Sequence, residues 1–483
     1  MSGAGGDRGR AAGDARGLNA AEGRDLAVLA LGRSQSQRDY VRDVLVNIAE
    51  RARTPVEQIG FGLELAMGVI RHRLTLARLV RSLLTGKWDD LPADVRHILL
   101  VGAYQLIWLE TIPDYAIIDE APNQARRAGQ QRFVKLVNAI LRNVQRLLKE
   151  RVDWTKDLPA TKTLRYEYGR AWLLEKDFFA DPAQDLVTYL SIATSMPTEI
   201  ISRWINAHGR QQAVEACWAS QWRPAAVLRP NRLKTDGPGL LAALTEEGVA
   251  AEYDAASESV FVAHMGTVTH SKAFREGLCQ VQDVTAQQAV KAAQIKPGMT
   301  VLDLAAGVGT KATQAAEVMK NRGRVIAHDI EESRLEKVAA NCQRLGITIV
   351  ETVKPADLEA VLEEIERIDV IFVDAPCSNT GVLSRRPEAK YRLTPKSLES
   401  LHRQQVEIVE RAVSLAAGRT RLVYSTCSIE PEENEMVIQE VGRNHPDWVV
   451  SDSQLFLPSY RGRPSTWRDG GFLAVLDGVA VGG

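Results

Sequence analysis

Residues Ile371-Phe-Val-Asp-Ala-Pro-Cys-Ser-Asn-Thr-Gly381 decide the fold that we predict for the second half of this chain of 483 residues. An apolar run of strand-forming residues stops there at a polar loop that carries Cys377. A second run of the same kind, Leu422-Val-Tyr-Ser-Thr-Cys-Ser428, stops at Cys427. Because ligands bind beyond the carboxyl ends of the strands in an open parallel sheet, we expect both thiols to face one crevice.

A third apolar run, Thr300-Val-Leu-Asp-Leu-Ala-Ala-Gly-Val-Gly-Thr310, ends in a glycine-rich turn before a predicted helix. Glycine lets the backbone approach a ligand closely, and the N-terminus of a helix favours an anionic group. Asp329 ends the next predicted strand, where a carboxylate can hydrogen-bond a ribose diol. This spacing suits an adenosine cofactor, either NAD or S-adenosylmethionine. The strict GxGxxG pattern is absent, and we favour S-adenosylmethionine.

The order of predicted elements indicates several domains. Residues 1–18 are rich in Gly, Ala, Arg and Asp and are predicted to form a disordered tail, whereas residues 19–150 show helical periodicity throughout. Residues 151–278 are predicted to contain a helical connector, up to about residue 185, and then a small α+β module. Strands alternate with long helices in residues 279–483, which predicts a doubly wound, Rossmann-like α/β domain.

Composition excludes several classes of protein. Five cysteines, an odd number at wide spacing, do not suggest a secreted disulfide framework and fit a reducing cytoplasm. The sequence has neither a CxxC nor an HExxH pattern, so we expect no metal. No apolar run reaches the ~18–20 residues that a membrane span needs, so we expect no membrane partner. The net charge of −1 means that any surface for nucleic acid must come from local clusters of basic residues.

Basic residues do cluster in the helical domain. They are Arg71, Arg73, Arg78 and Arg81, and then Arg126, Arg127, Arg132, Lys135, Arg142 and Arg146. Taken singly, each is explained by a solvated helix surface, where Lys and Arg are common. Taken together, they predict contacts with RNA phosphates.

Two parts of the chain resemble known families. Val95-Arg-His-Ile-Leu-Leu-Val-Gly-Ala-Tyr-Gln-Leu106, with Ile112-Pro-Asp-Tyr-Ala116 and Leu136-Val-Asn-Ala-Ile-Leu-Arg-Asn143, resembles the NusB family of RNA-binding helical domains. The stretches from Asp374 to Arg392 and from Tyr424 to Glu435 resemble the two cysteine motifs of RNA cytosine-C5 methyltransferases. An isolated Asp-Ala-Pro-Cys turn would be explained by a strand end with a packed cysteine. The second cysteine at the next strand end favours covalent catalysis instead.

With both parts present, residues 20–483 resemble the Sun or Fmu family of ribosomal RNA small-subunit methyltransferases. The resemblance implies methylation of a cytosine in 16S ribosomal RNA with S-adenosylmethionine, by a protein that we expect to be a cytoplasmic monomer. It implies that Cys427 attacks cytosine C6, that Cys377 assists the later elimination, and that Asp374 holds the cytosine edge.

The same resemblance and the loop chemistry assign the remaining candidates. Lys311 is expected to favour the thiolate of Cys427 and to belong to the catalytic group. The predicted cofactor-binding residues are Ala305, Ala306, Gly307, Val308, Gly309, Thr310, Lys311, Asp329 and Asp374. The predicted RNA-binding residues are Arg385, Arg386, Lys390 and Arg392.

The sequence also departs from the family pattern. The cofactor loop of the family reads Cys-Ala-Ala-Pro-Gly-Gly-Lys-Thr, whereas positions 305–312 here read Ala-Ala-Gly-Val-Gly-Thr-Lys-Ala. The Gly-Asp pair that follows the third strand in the family is not evident in residues 351–357, so no adenine contact is assigned. Two alternatives stay open: the same chemistry on tRNA or another RNA, and a non-catalytic RNA-binding assembly factor.

Overall fold

A computed structural model describes residues 17–34, 40–263, 265–416 and 420–478. The chain divides into two compact units, Met1–Ser202 and Arg203–Gly483. The predicted tail lies outside the described residues except for Gly17 and Leu18.

The first unit begins with helices, as predicted. They are α1 (Gly23–Arg33), α2 (Val41–Ala52), α3 (Val56–Arg71), α4 (Arg73–Leu83), α5 (Ala93–Trp108), α6 (Asp114–Arg127) and α7 (Val134–Leu147). In α7 the buried residues Val137, Ile140, Leu141 and Val144 recur three or four positions apart. This spacing places them on one face of the helix, which packs into the core of the unit.

A small antiparallel sheet follows, where the sequence predicted a helical connector. The strands β1 (Leu148–Asp153), β2 (Thr163–Glu167) and β3 (Arg170–Leu174) pair in the order β1-β3-β2. Gly169, at a φ of +77°, makes the tight turn between β2 and β3. The prediction was wrong because the many charged residues lie on the solvent-facing side of short strands. The core side is supplied by only a few residues, such as Leu164 and Ala171.

Helix α8 (Leu186–Ala193) completes the first unit and packs against α4. The Thr75 hydroxyl donates a hydrogen bond to the Ile192 carbonyl oxygen at 2.5 Å. Trp172 in β3 donates from Nε1 to the Ile107 carbonyl oxygen at 3.0 Å. The sheet and α8 are therefore built onto the helical domain, and the compact unit extends beyond the predicted boundary at residue 150.

The second unit opens with a small α+β module. Its helices are α9 (Thr198–His208), which spans the division between the units, α10 (Arg210–Ala219), α11 (Gly237–Glu246), α12 (Met265–Thr269) and α13 (Lys272–Arg275). Its strands are β4 (Ala226–Pro230), β5 (Ala251–Asp254), β6 (Ser259–Val262) and β7 (Cys279–Val281), in the order β5-β6-β4-β7. This confirms the predicted mixture of strands and helices in this region.

A larger sheet forms the rest of the second unit. Its strands are β8 (Thr300–Asp303), β9 (Arg324–His328), β10 (Val350–Val353), β11 (Val370–Asp374), β12 (Arg421–Thr426), β13 (Trp448–Phe456) and β14 (Gly471–Gly478). The helices are α14 (Val284–Ala292), α15 (Thr310–Val318), α16 (Glu332–Leu345), α17 (Leu358–Glu363), α18 (Pro395–Leu415) and α19 (Glu435–Asn444). Within the described residues the strand order is β10-β9-β8-β11-β12-β14-β13. Strands β8 to β12 are parallel to one another, and β14 is antiparallel to both of its neighbours, β12 and β13.

Both faces of this sheet are covered by helices, which confirms the Rossmann-like prediction. Val301 and Phe372 belong to one core, and Leu302 and Ile371 belong to the core on the other face. Strand β9 pairs with one edge of β8, and β11 pairs with the opposite edge, so the order of strands reverses at β8. The gap between the carboxyl ends of β8 and β11 is therefore the switch point, where a crevice for a ligand is expected.

Candidate active site

Two glycines shape the loop that follows β8. Gly309 precedes α15 with a φ of +81°, and Gly307 has a φ of +57°. A Cβ atom added to Gly309 would lie 2.9 Å from Cγ1 of Val338, whereas one added to Gly307 would meet nothing within 4 Å. Gly309 is therefore required for both its backbone angle and its close packing against α16.

Asp329 supports this loop from the end of β9. Its carboxylate is buried and accepts hydrogen bonds from the backbone N–H groups of Gly307 and Glu331, both at 2.9 Å. An Arg334 guanidinium nitrogen lies 3.4 Å from Asp329 Oδ2. Asp329 thus fixes the glycine loop in this structure, and its predicted contact with a ribose stays a prediction.

Lys311, which was expected to favour the thiolate of Cys427, meets Asp374 at the switch point. Lys311 Nζ lies 2.6 Å from Asp374 Oδ2. Ser425 Oγ donates to Asp374 Oδ1 at 2.9 Å, from the neighbouring strand β12. The Lys311 side chain is 7% exposed and that of Asp374 is 42% exposed. Asp374 therefore presents an anchored carboxylate to the crevice, and the cation that holds it is buried.

Asp303, the last residue of β8, is a site residue that the sequence analysis missed. Its side chain is buried, and neither carboxylate oxygen has a hydrogen-bond partner among the described residues. The pKa of Asp303 is raised to about 7, because burial raises it more than the charge of Lys311 lowers it, and the charge of Asp374 adds to the rise. A buried carboxylate of this kind fits a cationic ligand group, and S-adenosylmethionine carries a sulfonium and an ammonium group. The signal available in the sequence was an Asp at a strand end beside a glycine loop.

The two predicted thiols are in contact. Cys377 Sγ lies 3.0 Å from Cys427 Sγ, and both side chains are partly exposed. The Cys427 thiol also donates to Asn379 Oδ1 at 3.2 Å, and Asn379 Nδ2 donates to the Cys377 carbonyl oxygen at 2.9 Å. Asn379 has a φ of +62°, an angle that Asn tolerates better than most residues. Cys217, Cys279 and Cys342 are buried elsewhere.

The environment of Cys377 favours its protonated form. The hydrogen bond with Cys427 raises the pKa of Cys377 well above the ordinary value, and burial and the charges of Cys427 and Glu433 act in the same direction. A thiol with a raised pKa holds its proton at neutral pH, and it is a stronger base once it has lost that proton. The pair is therefore suited to two different roles.

The basic residues of the following loop do not all face solvent. Arg385 Nε lies 2.5 Å from Asp469 Oδ2, and its Nη2 donates to the Ala225 carbonyl oxygen at 3.0 Å. Lys390 is 1% exposed. The burial of Lys390 argues against its predicted contact with RNA phosphates. Arg385 is paired with Asp469 but its side chain is 26% exposed, so its predicted RNA contact stays a prediction. Arg386 is exposed and Arg392 is partly exposed, so the prediction stays open for these two residues.

The described part of the chain has neither a cluster of metal-ligating side chains nor a helix suited to crossing a membrane. No group of three or more His, Cys, Asp or Glu side chains there is arranged to hold a metal ion. Among the helices described above, none combines the length and the apolar character that crossing a membrane requires.

Comparison with known proteins gives two matching families. Residues 21–146 match the NusB family, and residues 290–462 match the family described as 16S rRNA methyltransferase RsmB/F. The probable ribosomal RNA small subunit methyltransferase B of Bacillus subtilis (strain 168) is 29% identical over 427 residues, covering 88% of this chain and 89% of the relative. The ribosomal RNA small subunit methyltransferase B of Yersinia pseudotuberculosis serotype O:1b (strain IP 31758) is 29% identical over 424 residues, with the same coverage of both chains.

Solved structures agree on the fold. The crystal structure of PH0851 aligns with a TM-score of 0.70 at 20% identity, covering 96% of this chain and 98% of that one. NSun6 from Pyrococcus horikoshii, solved with SFG, an analogue of S-adenosylmethionine, aligns with a TM-score of 0.50 at 20% identity, covering 59% of this chain and 98% of that one. The two family matches occupy the helical domain and the domain that carries both cysteine loops. The chain therefore carries a domain that matches the NusB family ahead of a domain that matches the RsmB/F family of 16S rRNA methyltransferases.

Proposed function

We propose that this protein forms 5-methylcytosine in 16S ribosomal RNA through a covalent bond between Cys427 and cytosine C6. The observation that carries the proposal is the contact of two thiols at 3.0 Å, at the ends of adjacent strands and in the same crevice as the Lys311–Asp374 pair. The match to the RsmB/F family over residues 290–462 supports methyl transfer to ribosomal RNA. The arrangement of thiols supports cytosine C5 as the acceptor.

The cofactor is S-adenosylmethionine, which supplies an electrophilic methyl group on a positively charged sulfur. The residues that would hold it are the loop Ala305–Thr310, Lys311, Asp329 and Asp374. Asp303 adds a buried carboxyl group whose ionised form would suit the cationic groups of the cofactor.

The chemistry requires both thiols. Cytosine C5 is a poor nucleophile until the Cys427 thiolate forms a bond to C6, after which the electron pair of the C5–C6 double bond is available at C5 for methylation. Cys377 then gives up its own thiol proton to solvent, and the resulting thiolate removes the C5 proton, after which the C5–C6 double bond re-forms and the Cys427–C6 bond breaks. Asp374, held by Lys311 and Ser425, is placed to accept a hydrogen bond from the cytosine edge.

The proposal also includes an RNA-binding surface, a cellular location and an oligomeric state. The NusB-family domain carries exposed basic residues on α7, and we assign part of the RNA-binding surface to them. We place the reaction in the cytoplasm, consistent with five free cysteines. We expect a monomer. A tRNA or another RNA is the alternative substrate.

The test separates the two thiols. Cys427→Ser is expected to abolish methyl transfer and to form no adduct, because a hydroxyl ionises far less than a thiol. Cys377→Ser is expected to add to C6 and accept the methyl group but to stall before elimination. Each variant is incubated with a 16S RNA transcript and labelled S-adenosylmethionine, and denaturing gels then show whether labelled protein migrates with RNA. Cys342→Ser, at a buried thiol far from the crevice loops in sequence, is the matched control and should retain activity.

The opposite pattern, with an adduct only for Cys427→Ser, would mean that the two roles are reversed. Activity in both variants would show that neither thiol is catalytic. Absence of both methyl transfer and cofactor binding in the wild-type protein would favour a non-catalytic assembly factor.

A further inference from the structure

A buried carboxylate lies behind the two cysteine loops. Glu433, in the turn between β12 and α19, is 0% exposed. Its Oε1 accepts hydrogen bonds from the Ser378 backbone N–H at 2.8 Å and from Gln405 Nε2 at 3.1 Å. Its Oε2 accepts hydrogen bonds from the hydroxyl groups of Ser378 and of Ser428, the latter at 2.5 Å.

These donors come from both thiol loops. Ser378 directly follows Cys377, and Ser428 directly follows Cys427. Gln405, in α18, donates in addition to the Pro376 carbonyl oxygen at 2.9 Å. The Glu433 carboxylate therefore joins Ser378, Ser428 and helix α18. Through Gln405, α18 also bonds to Pro376, the residue before Cys377.

A further set of bonds closes the same network. Thr380 Oγ1 and Ser428 Oγ lie 3.0 Å apart, and the Ile429 backbone N–H donates to Thr380 Oγ1 at 3.1 Å. The Glu430 backbone N–H donates to Ser428 Oγ at 3.1 Å. The two loops are thus cross-linked by side-chain hydrogen bonds behind the thiols. The thiols themselves touch through the contact of Cys377 Sγ with Cys427 Sγ at 3.0 Å.

Glu433 does not face the crevice. Its two oxygens are engaged by protein donors and the side chain has no exposure, so it does not touch RNA or cofactor. Burial raises the pKa of Glu433, and the hydrogen bonds from Ser378, Ser428 and Gln405 oppose that shift. These hydrogen bonds are charge-assisted when the carboxylate is ionised, which makes them stronger than hydrogen bonds between neutral groups.

We propose that Glu433 is a positioning residue that holds the Cys377 and Cys427 loops together through Ser378 and Ser428. The proposal rests on the roles of the two thiols given above, because elimination requires Cys377 to reach a base that is already bonded to Cys427. Loss of the clamp loosens the coupling between the two loops, which then depends on the remaining side-chain bonds, such as those of Thr380 and Asn379. A misplacement of about 1 Å lowers catalytic rates by up to about 100-fold.

The experiment uses the full chain with Glu433→Gln. The amide fills the same space, but it has one acceptor oxygen where the carboxylate has two, for four protein donors. The matched control is Glu432→Gln, which changes the neighbouring carboxylate, paired with Arg203 rather than with the thiol loops. We expect Glu433→Gln to lower kcat by at least about tenfold, with an unchanged KM for S-adenosylmethionine, since the cofactor loop is not touched. The control should match the wild type.

A second readout measures the thiol contact without methyl transfer. With oxidised glutathione, a mixed disulfide forms at one thiol, and the other thiol then displaces glutathione to give the Cys377–Cys427 disulfide, each exchange releasing one reduced glutathione. Peptide mapping by mass spectrometry follows this bond. We expect the displacement step to slow by at least about tenfold in Glu433→Gln, because the effective concentration of one thiol at the other falls. If Glu433→Gln does not fold, Ser428→Ala removes one donor and is expected to slow both kcat and disulfide formation.

The two readouts distinguish the possible failures. Wild-type kcat and a wild-type rate of disulfide formation in Glu433→Gln, or in Ser428→Ala where it replaces Glu433→Gln, would overturn the proposal. A slowed disulfide with unchanged kcat would support the clamp but contradict the proposed role of the thiol pair in methyl transfer. A fall in kcat without any change in the disulfide rate would overturn the clamp and leave the proposed function standing.

Discussion

Asp303 and Asp374 share one cation, Lys311, and differ in exposure. Asp374 is held by Lys311 at 2.6 Å and reaches the crevice, whereas Asp303 is buried behind it. Because the pKa of Asp303 is raised to about 7 from an ordinary value of 3.8, the folded state favours the protonated carboxyl. This contribution to stability is complete below about pH 4 and is lost as the pH rises toward 7.

The corresponding prediction concerns Asp303→Asn, which is neutral at every pH. Relative to the wild type, the variant should become more stable as the pH rises from 5 to 8, because only the wild type loses the favourable protonated form. Thermal unfolding of both proteins at the two pH values measures this change, and each protein serves as its own control across pH. A difference in Tm that is the same at pH 5 and pH 8 would contradict the raised pKa.

At this scale the sequence predicted that the two thiols would lie close together, because each follows a strand and strand ends converge in a parallel sheet. It did not predict that Lys311 pairs with Asp374. Nor did it predict the burial of Lys390 or the pairing of Arg385 with Asp469. The environment of Arg385 is set by Asp469 and Ala225, which lie 84 and 160 residues away along the chain. Contacts at such separations leave no local pattern.

At the scale of an element, the loop before α15 contains two glycines with different requirements. Alanine at either position costs on the order of 1–2 kcal/mol because the backbone is left-handed. Gly309→Ala should lose roughly 1–3 kcal/mol more, because its Cβ would lie 2.9 Å from Val338. Urea unfolding of the two variants measures the difference, and Gly307→Ala is the matched control. Equal losses in the free energy of unfolding for the two variants would mean that α16 moves away from the loop at no cost in stability.

The alternation of apolar strands with helices from β8 to β12 made the Rossmann-like domain predictable, because the strands are buried on both faces and therefore read as apolar runs. The sheet of β1 to β3 was not predictable in the same way. Its strands are of similar length but rich in charge, and they are stabilised by packing on the helical domain rather than by a pattern of their own.

At the scale of the whole molecule, a net charge of −1 hides a local excess of positive charge. Lys135, Arg142 and Arg146 are exposed on α7, at positions seven and four residues apart, and form what we term the basic stripe. Replacing all three with Gln should reduce the slope of log affinity against log salt for a 16S RNA transcript by roughly 2–3, at about 0.7–0.9 per phosphate contact.

The control for the basic stripe replaces Lys149, Lys156 and Lys162, three lysines of the same unit outside α7, with Gln. Binding is measured between about 50 and 200 mM salt, where phosphate contacts dominate affinity. Cofactor binding should be unchanged in both triple variants. Equal salt slopes for the two would show that the stripe has no direct role with RNA.

The position of β14 governs when the active site can form during synthesis. This strand, Gly471–Gly478, lies between β12 and β13, and β12 leads directly into Cys427. The backbone N–H of Gly470, which precedes β14, donates to the Gly381 carbonyl oxygen at 2.8 Å, and the Gly381 N–H donates to the Cys427 carbonyl oxygen at 2.9 Å. A nascent chain therefore exposes both thiols on an unfinished sheet edge until residues 471–478 leave the ribosome. Catalytic competence is acquired late in synthesis, after the NusB-family domain has had time to fold.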